Sequence, residues 1–476
     1  MDPYWYGGWN YAQAYSPLAY AVTGALALAT PLTVETAYRL VLVVAVFALG
    51  VATYLLALEV GLRRLFATWA GLLVLATPPL FMGAGLYGWF STLVALPFAI
   101  AGHAMLERAM RTRRRTHAAI AGALFGACVL ASAMVGFSMA VALVPWLAYH
   151  LAASRARGDT ARLMAVAGVA GAAVCGVWAA FFLAHALRVG FEREIPGIWV
   201  FNLDTLRYRI FARGFIGVDT YPTYLRAVQI AAGLTGAIHA VLSRSRLAGL
   251  ALSAMVLAWL GLGAAVNPLI NAYPLSGLDM ARMSLLVMPL LAVCAASLLG
   301  AVTSLPLDAR VSRRLAPVLP QAGVTALSAL PVLDAAEARE AIAPVSRPAE
   351  YVRAARWIDE HTPPDAAFAA VGFRNWDAYW IPRDTGRRVM DGWHDEGTAD
   401  WLAIREFRMM GWQGSGNPAR LHEIMRERGV DYLVLDDWDG HELSEDLRRA
   451  VEGTPSLFER RFAEAGLTIF QRVDGR

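Results

Sequence analysis

The chain has 476 residues, of which 57% are hydrophobic and 17% charged, and that charged share is well below the roughly one quarter of an ordinary soluble domain. The net charge of +4 is small for this length and its basic residues sit in short clusters between apolar runs, so membrane topology accounts for them and no nucleic-acid partner is expected. All 42 basic residues are Arg and none is Lys, which excludes Schiff-base lysine chemistry and a Walker-type phosphate loop within this chain.

Charge is distributed by region. From Pro17 to about Gly300 the sequence is a series of long uncharged runs, whereas from Pro348 to Arg476 charges and helix-strand patterning look ordinary. We therefore expect an aromatic N-terminal segment (1–16), a transmembrane helical domain (17–303), a connector (304–346) and a soluble α/β domain (347–476). The three cysteines, Cys128, Cys175 and Cys294, each lie inside an apolar run without Cys-x-x-Cys spacing and read as small hydrophobes.

In chain order, the hydrophobic runs predict spans over 18–32, 38–60, 67–83, 90–106, 118–134, 137–151, 163–187, 227–242, 247–266 and 284–302. Several fall short of the ~20 residues that cross a bilayer, so the shortest are candidates for tilted, broken or re-entrant segments. Arg clusters follow at Arg63-Arg64, Arg108 to Arg115, Arg155 to Arg162, Arg244 and Arg246, and Arg310 to Arg314, and the positive-inside rule puts them on the cytoplasmic side. Even numbers of spans separate successive clusters, which makes the assignment self-consistent from Arg63 onward. The loops 192–224 and 267–280 then face outward with Glu192, Glu194, Asp204, Asp219 and Asp279. At the N-terminus the parity conflicts with an outer aromatic segment if both 18–32 and 38–60 cross, and a non-spanning first segment removes the conflict.

The stretch 315–333 carries no charge over 19 residues and contains Pro317, Pro320 and Pro331. Its Val, Leu and Ala content favours a last span over a polar linker, which places the C-terminal domain outside the cell. That domain reads as helix 349–360, strand 366–371, an aromatic loop, strand 388–391, helices near 399–410 and 418–428, strand 432–435, helix 444–451 and a β-hairpin over 458–473. Alternating strand and helix argue a small open α/β sheet, and no Gly-x-Gly-x-x-Gly follows a strand to support a dinucleotide site.

Three stretches carry candidate chemistry. Tyr4, Trp5, Tyr6, Gly7, Gly8, Trp9, Tyr11 and Tyr15 precede Ser16-Pro17-Leu18, a density that an interfacial aromatic belt also has. The order Trp-x-Gly-Gly-x(8)-Pro-Leu-x-Tyr resembles the segment after the first extracytoplasmic loop of the GT-C superfamily of membrane glycosyltransferases, with Ser16 in place of a Pro. In the soluble region Asn375-Trp376-Asp377-Ala378-Tyr379 is similar to the Trp-Trp-Asp-Tyr-Gly neighbourhood of oligosaccharyltransferase catalytic subunits of the same superfamily. Asn375 stands for the first Trp and Ala378 is inserted, so sequon binding does not carry over; Trp376, Asp377 and Tyr379 stay as acceptor-binding candidates beside the alternative of a membrane-packing loop. Asp279-Met280-Ala281-Arg282 opens the last strong span and is similar to the start of a late GT-C span whose Arg meets the donor phosphate. A guanidinium offers phosphate a bidentate fork, although an Arg at a helix mouth also serves as an interface anchor.

The resemblance implies a polytopic α-helical membrane bundle of about 10–11 spans with a small C-terminal α/β domain. It further implies an enzyme that moves a sugar from a polyprenyl-phosphate donor to an extracytoplasmic acceptor. Arg282 would meet the leaving phosphate, and Asp2, Asp204, Asp219 and Asp279 are the candidate carboxylates, as general base or as ligands of a divalent cation, Mg or Mn. It also implies a membrane-entering helix and an acidic loop before the Gly-Gly turn. Met1 stands only six residues before Gly7 and Asp2 is the sole acid upstream, so a first helix is expected to be missing and the chain to be inactive by itself.

Two rivals remain. A non-catalytic scaffold or acceptor-binding protein would keep the architecture without the site. A transporter would place ionisable residues midway through its spans, whereas these are almost wholly Ala, Leu, Val and Gly. His103, His150, His185 and His239 fall within or at the ends of spans, only His103 has an acid at helical spacing (Glu107), and all four read as interfacial. His394-Asp395-Glu396 could supply metal ligands but reads more readily as a solvated loop.

Overall fold

The computed structural model describes residues 16–75, 90–154, 156–189, 227–261, 280–303, 349–372, 380–390, 417–436, 442–464 and 466–473. These divide into two compact units, a helical one holding residues 16–181 and 227–303, and a mixed α/β one to which residues 349–473 and the helix end 182–189 are assigned.

The helical unit contains α1 (Leu18–Ala29), α2 (Val34–Glu59), α3 (Arg64–Leu75), α4 (Phe90–Thr112), α5 (Arg115–Ala131), α6 (Ala133–Ala153), α7 (Arg157–Val189), α8 (Ala227–Leu242), α9 (Ala248–Gly261) and α10 (Met280–Thr303). Among the described residues five helices are long and apolar enough to cross a membrane. Val43, Phe47, Val169 and Val177 are more than 60% exposed on α2 and α7, a lipid-facing pattern that water would penalise. α4 is the opposite case: it buries Leu93, Leu96, Ala99, Ile100, His103 and Leu106 on successive faces and forms the middle of the unit. The protein is an integral membrane protein.

Contacts along the helices fix their directions. Tyr38 near the start of α2 meets Phe90 at the start of α4, and Glu59 at the end of α2 pairs with Arg108 and Arg111 near the end of α4, so α2 and α4 run parallel. Gly122 and Gly126 of α5 lie against Ala167 and Gly171 of α7, and Gly233 and Gly236 of α8 against Leu291 and Cys294 of α10, which makes both pairs parallel. α9 runs antiparallel to α6, because Gly249 sits beside His150 while Ser253 donates to the Ala142 carbonyl. Gly300 of α10 lies against Phe66 of α3. From α2 to α10 the direction therefore alternates, and the described members of the first four Arg clusters gather at one end of the unit, as their even spacing predicts.

α1 does not follow the alternation. Its 12 residues reach about 18 Å, short of the ~30 Å hydrocarbon thickness. Tyr20 in its first turn and Tyr38 in α2 both touch the ring of Phe90, at 5.5 and 4.3 Å, so both helices start at the same level. α1 thus lies at the end opposite the Arg clusters instead of crossing to them.

The α/β unit contains α11 (Ala349–His361), β1 (Ala367–Gly372), α12 (Trp380–Thr385), β2 (Arg388–Val389), α13 (Pro418–Glu427), β3 (Tyr432–Asp436), α14 (Glu442–Glu452), β4 (Phe458–Glu464) and β5 (Leu467–Arg472). The strands form one sheet in the order β2-β1-β3-β5-β4, with β1 parallel to β2 and β3 and the closing hairpin antiparallel. Alternate residues serve its two faces: Phe368, Ala370 and Val434 pack with Tyr351, Ile358 and Ile381, and Ala369, Leu433 and Leu435 with Leu421, Ile424 and Leu447. Asn417 starts α13 by accepting from the Ala419 and Arg420 amides ahead of Pro418 at the first helical position, a strong start signal. The short helix α12 falls where an aromatic loop is expected; buried Arg387 braces its end by donating to the Thr385 and Thr362 carbonyls at 2.9 and 3.0 Å. The expected helix near 399–410 and the candidate span 315–333 lie outside the described residues.

The α5–α7 crossing yields a prediction. A Cβ on Gly122 would overlap the Ala167 carbonyl oxygen, backbone against backbone, whereas one on Gly168 would meet nothing within 4 Å. Gly122→Leu is therefore expected to lower stability by about 3 kcal/mol or more, and Gly168→Leu to be near neutral. Thermal unfolding of both variants in detergent reads the difference; equal melting temperatures would refute the crossing.

Candidate functional site

The end of the helical unit opposite the Arg clusters gathers the first turns of α1, α2, α4, α6 and α10. Ser16, just ahead of α1, accepts a 2.8 Å hydrogen bond from the Ala133 amide at the start of α6, and Ser132 caps the same helix by accepting from the Val135 amide. Phe90 is buried between Tyr20 and Tyr38. Ser91 and Thr92 are buried beside it, and Thr92 Oγ1 has no hydrogen-bond partner among the described residues. This end therefore combines hydroxyl groups and aromatic faces, in contrast to the cationic end.

Arg282 is the third residue of α10. α10 is about 36 Å long at 1.5 Å per residue and ends against Phe66 near the Arg-rich end, so its first turn, and with it Arg282, falls at the hydroxyl and aromatic end. Ser16 and Tyr20 belong to the Pro-Leu-x-Tyr stretch singled out in the sequence. Tyr38, Phe90 and Thr92 were not anticipated, and no local signal marks them: a Phe and a Thr opening an apolar run look like any other span residues. The other candidates, Asp2, Asp204, Asp219, Asp279, Trp376, Asp377 and Tyr379, lie outside the described residues.

In the α/β unit the chain enters 373–379 from Gly372 at the end of β1, which pairs in register with Asp436 at the end of β3. β1 is followed by β2 on one side of it and β3 by β4 on the other side, which makes the place between β1 and β3 a topological switch point, and open α/β sheets bind ligands outside the carboxyl ends of the strands at such points. Residues 373–379, with Trp376, Asp377 and Tyr379, follow β1 in sequence and lie outside the described residues. Just beyond them, Trp380 is buried and stacks on Tyr351 at 5.4 Å.

A second polar group lies inside the bundle toward the Arg-rich end. His103 and Glu107 on α4 and Trp146 on α6 are buried, and the His150 side chain is 20% exposed. The Trp146 indole N–H donates to Glu107 Oε1 at 2.5 Å, with His150 Nε2 at 3.7 Å and His103 Nε2 at 4.0 Å from the same oxygen, too long for hydrogen bonds. The interfacial reading of His103 is corrected here: α4 runs on to Thr112, so His103 sits more than two turns inside the helix end and is wholly buried. Among the described residues no group of His, Cys, Asp or Glu is arranged to hold a metal.

No protein-family model and no curated protein matches this chain. Solved structures do. The apo oligosaccharyltransferase of Archaeoglobus fulgidus superposes with a TM-score of 0.60 at 14% identity, over 98% of this chain and 68% of that one. ArnT from Cupriavidus metallidurans bound to undecaprenyl phosphate superposes with a TM-score of 0.58 at 15% identity, over 98% of this chain and 89% of that one. The likeness at these identities is one of fold: a polytopic membrane helical bundle followed by a small α/β domain.

The buried carboxylate supplies a test. Glu107→Ala removes the acceptor of a buried indole N–H and is expected to cost about 2–3 kcal/mol, whereas Glu107→Gln keeps an acceptor oxygen and is expected to cost less. Denaturation in micelles compares them. If Gln were as damaging as Ala, the Trp146 hydrogen bond would not be what Glu107 contributes.

Proposed function

We propose that this chain is a membrane glycosyltransferase of GT-C type that transfers a sugar from a polyprenyl-phosphate donor to an acceptor at the hydroxyl and aromatic end of its bundle. The observation that carries the reading is the position of Arg282. It is the residue that the GT-C resemblance selects for the donor phosphate, and its helical turn falls at the same end as Ser16, Tyr20, Tyr38 and Phe90. ArnT, whose fold this chain shares, binds undecaprenyl phosphate.

The reaction in this reading is a single inverting displacement at the anomeric carbon. The acceptor oxygen forms the new bond, the bond to the phosphate oxygen breaks, and the acceptor proton passes to a carboxylate. The guanidinium of Arg282 stabilises the charge left on the polyprenyl phosphate through two parallel hydrogen bonds, an interaction that strengthens where water is scarce. Asp2, Asp204, Asp219 and Asp279 are the carboxylates available for the base. The same residues would hold a divalent cation if one takes part, and it would supply charge neutralisation at the donor phosphate. Trp376, Asp377 and Tyr379 would be the acceptor-binding residues. The C-terminal domain lies outside the cell in this reading, with 315–333 as the last span.

Two measurements test the reading. Arg282→Ala is expected to weaken polyprenyl-phosphate binding in detergent by tenfold or more, corresponding to about 1.4 kcal/mol, and Arg282→Lys to weaken it less, because charge survives and the fork does not. Unchanged affinity in Arg282→Ala would reduce the residue to an anchor. For topology, single cysteines at Arg113 and Trp412, in a variant without the three native cysteines, are exposed to a membrane-impermeant thiol reagent on intact cells. Label at 412 and protection at 113 are expected; label at 113, or protection at 412 in a folded protein, would overturn this topology.

A further inference from the structure

We propose that the turn joining α2 to α3 and the turn joining α8 to α9 together form a seat for the headgroup of an anionic phospholipid, separate from the site proposed for the donor. The two turns are far apart in sequence and adjacent in space: Arg246 Cδ lies 3.8 Å from the position a Cβ on Gly61 would occupy. They bring Arg63, Arg64, Arg244 and Arg246 to one patch of the Arg-rich end. All four side chains are exposed, and none has an ion pair or side-chain hydrogen bond among the described residues. Glu59, four residues before Arg63 in sequence, has its two oxygens engaged by Arg108 and Arg111.

Two further features select a lipid as the occupant. Leu65 and Leu242, each next to the patch in sequence, are 53% and 78% exposed, so apolar surface and free guanidinium groups stand side by side. That combination fits an amphiphile whose acyl chains cover the leucines and whose phosphate meets the arginines; a free phosphate would use only the cations, and an acidic protein segment would leave the leucines wet. Arg244 also holds a left-handed backbone, φ +48°, closed by the Ser245 amide on the Ala240 carbonyl. Glycine takes that conformation without strain, so an arginine there points to a use for its side chain. The guanidinium fork suits phosphate oxygens, and each basic residue at a membrane surface adds to attraction for anionic lipid.

The experiment uses the full chain in nanodiscs of mixed phosphatidylglycerol and phosphatidylcholine, transferred to detergent, with retained lipid counted by native mass spectrometry. The wild type is expected to retain phosphatidylglycerol in preference to phosphatidylcholine. R63Q/R246Q is expected to lower that retention roughly tenfold or more, while R114Q/R115Q, which removes the same charge from another turn at the same end, changes it less than about threefold. Added polyprenyl phosphate is expected to bind wild type and R63Q/R246Q alike. Equal retention of the two phospholipids by the wild type overturns the proposal, as does equal loss in the two double variants, which would make the whole Arg-rich end a diffuse basic belt. Loss of polyprenyl-phosphate binding in R63Q/R246Q would also overturn it, by assigning the patch to the donor lipid. If R63Q/R246Q does not fold, R246Q alone against R114Q makes the same comparison.

Discussion

Where a glycine of one helix lies against the backbone of another, the two axes can approach more closely than any larger side chain allows, and dispersion and packing replace the hydrophobic effect that lipid withholds. Three crossings of this kind set the bundle. Gly71 of α3 meets the Gly50 carbonyl of α2, Gly122 and Gly126 of α5 meet Ala167 and Gly171 of α7, and Gly236 of α8 meets the Cys294 carbonyl of α10. Each crossing fixes the distance at which its two helices pack. The directions of the helices follow, and so does the sorting of the ends.

That sorting gives the unit two chemically different ends. One carries the arginines of four clusters, partly matched by Glu59 and Asp159. The other carries Ser16, Thr92, Tyr20, Tyr38 and the first turn of α10. Since α1 lies at this second end instead of crossing, the Pro-Leu-x-Tyr stretch is delivered to the starts of α4 and α6. A residue that reads in sequence as the mouth of a span, Arg282, becomes a neighbour of that end through the length of α10. The buried group of Glu107, Trp146, His103 and His150 ties α4 to α6 on the other side of the bundle's midline.

Much of this was legible in the sequence, for reasons that can be stated. The spans declare themselves because the bilayer excludes charge, and the even spacing of Arg63-Arg64, Arg108 to Arg115, Arg155 to Arg162 and Arg244 with Arg246 foretells one common end. In the α/β unit Phe368, Ala370, Leu433 and Val434 alternate as strand residues must, and Asn417-Pro418 marks a helix start. What stayed hidden depends on contacts between distant residues. Nothing local in 18–32 distinguishes a helix lying at one end from a short span; only Phe90, seventy residues on, tells them apart. The burial of His103 depends on α4 continuing to Thr112 through a charged segment that hydropathy alone would end earlier. The helix α12 is only six residues long, and its Pro382 and Gly386 surroundings look like a loop. The likeness of the chain to oligosaccharyltransferase and ArnT agrees with the architecture that the Gly-Gly to Pro-Leu stretch pointed to, although identity is too low to carry residue roles with it.

The central claim is that the phosphate of a polyprenyl lipid is bound at the end of the bundle where α1, α4 and α10 begin. Its most direct test is photo-crosslinking of the full chain in nanodiscs with a polyprenyl phosphate that bears a diazirine beside the phosphate, followed by mapping of the adducts by mass spectrometry. The account predicts adducts on peptides containing residues 16–38, 90–92 or 280–285. Adducts confined to peptides containing residues 61–66, 108–117 or 242–248 would contradict it, because they would put the lipid phosphate at the Arg-rich end instead.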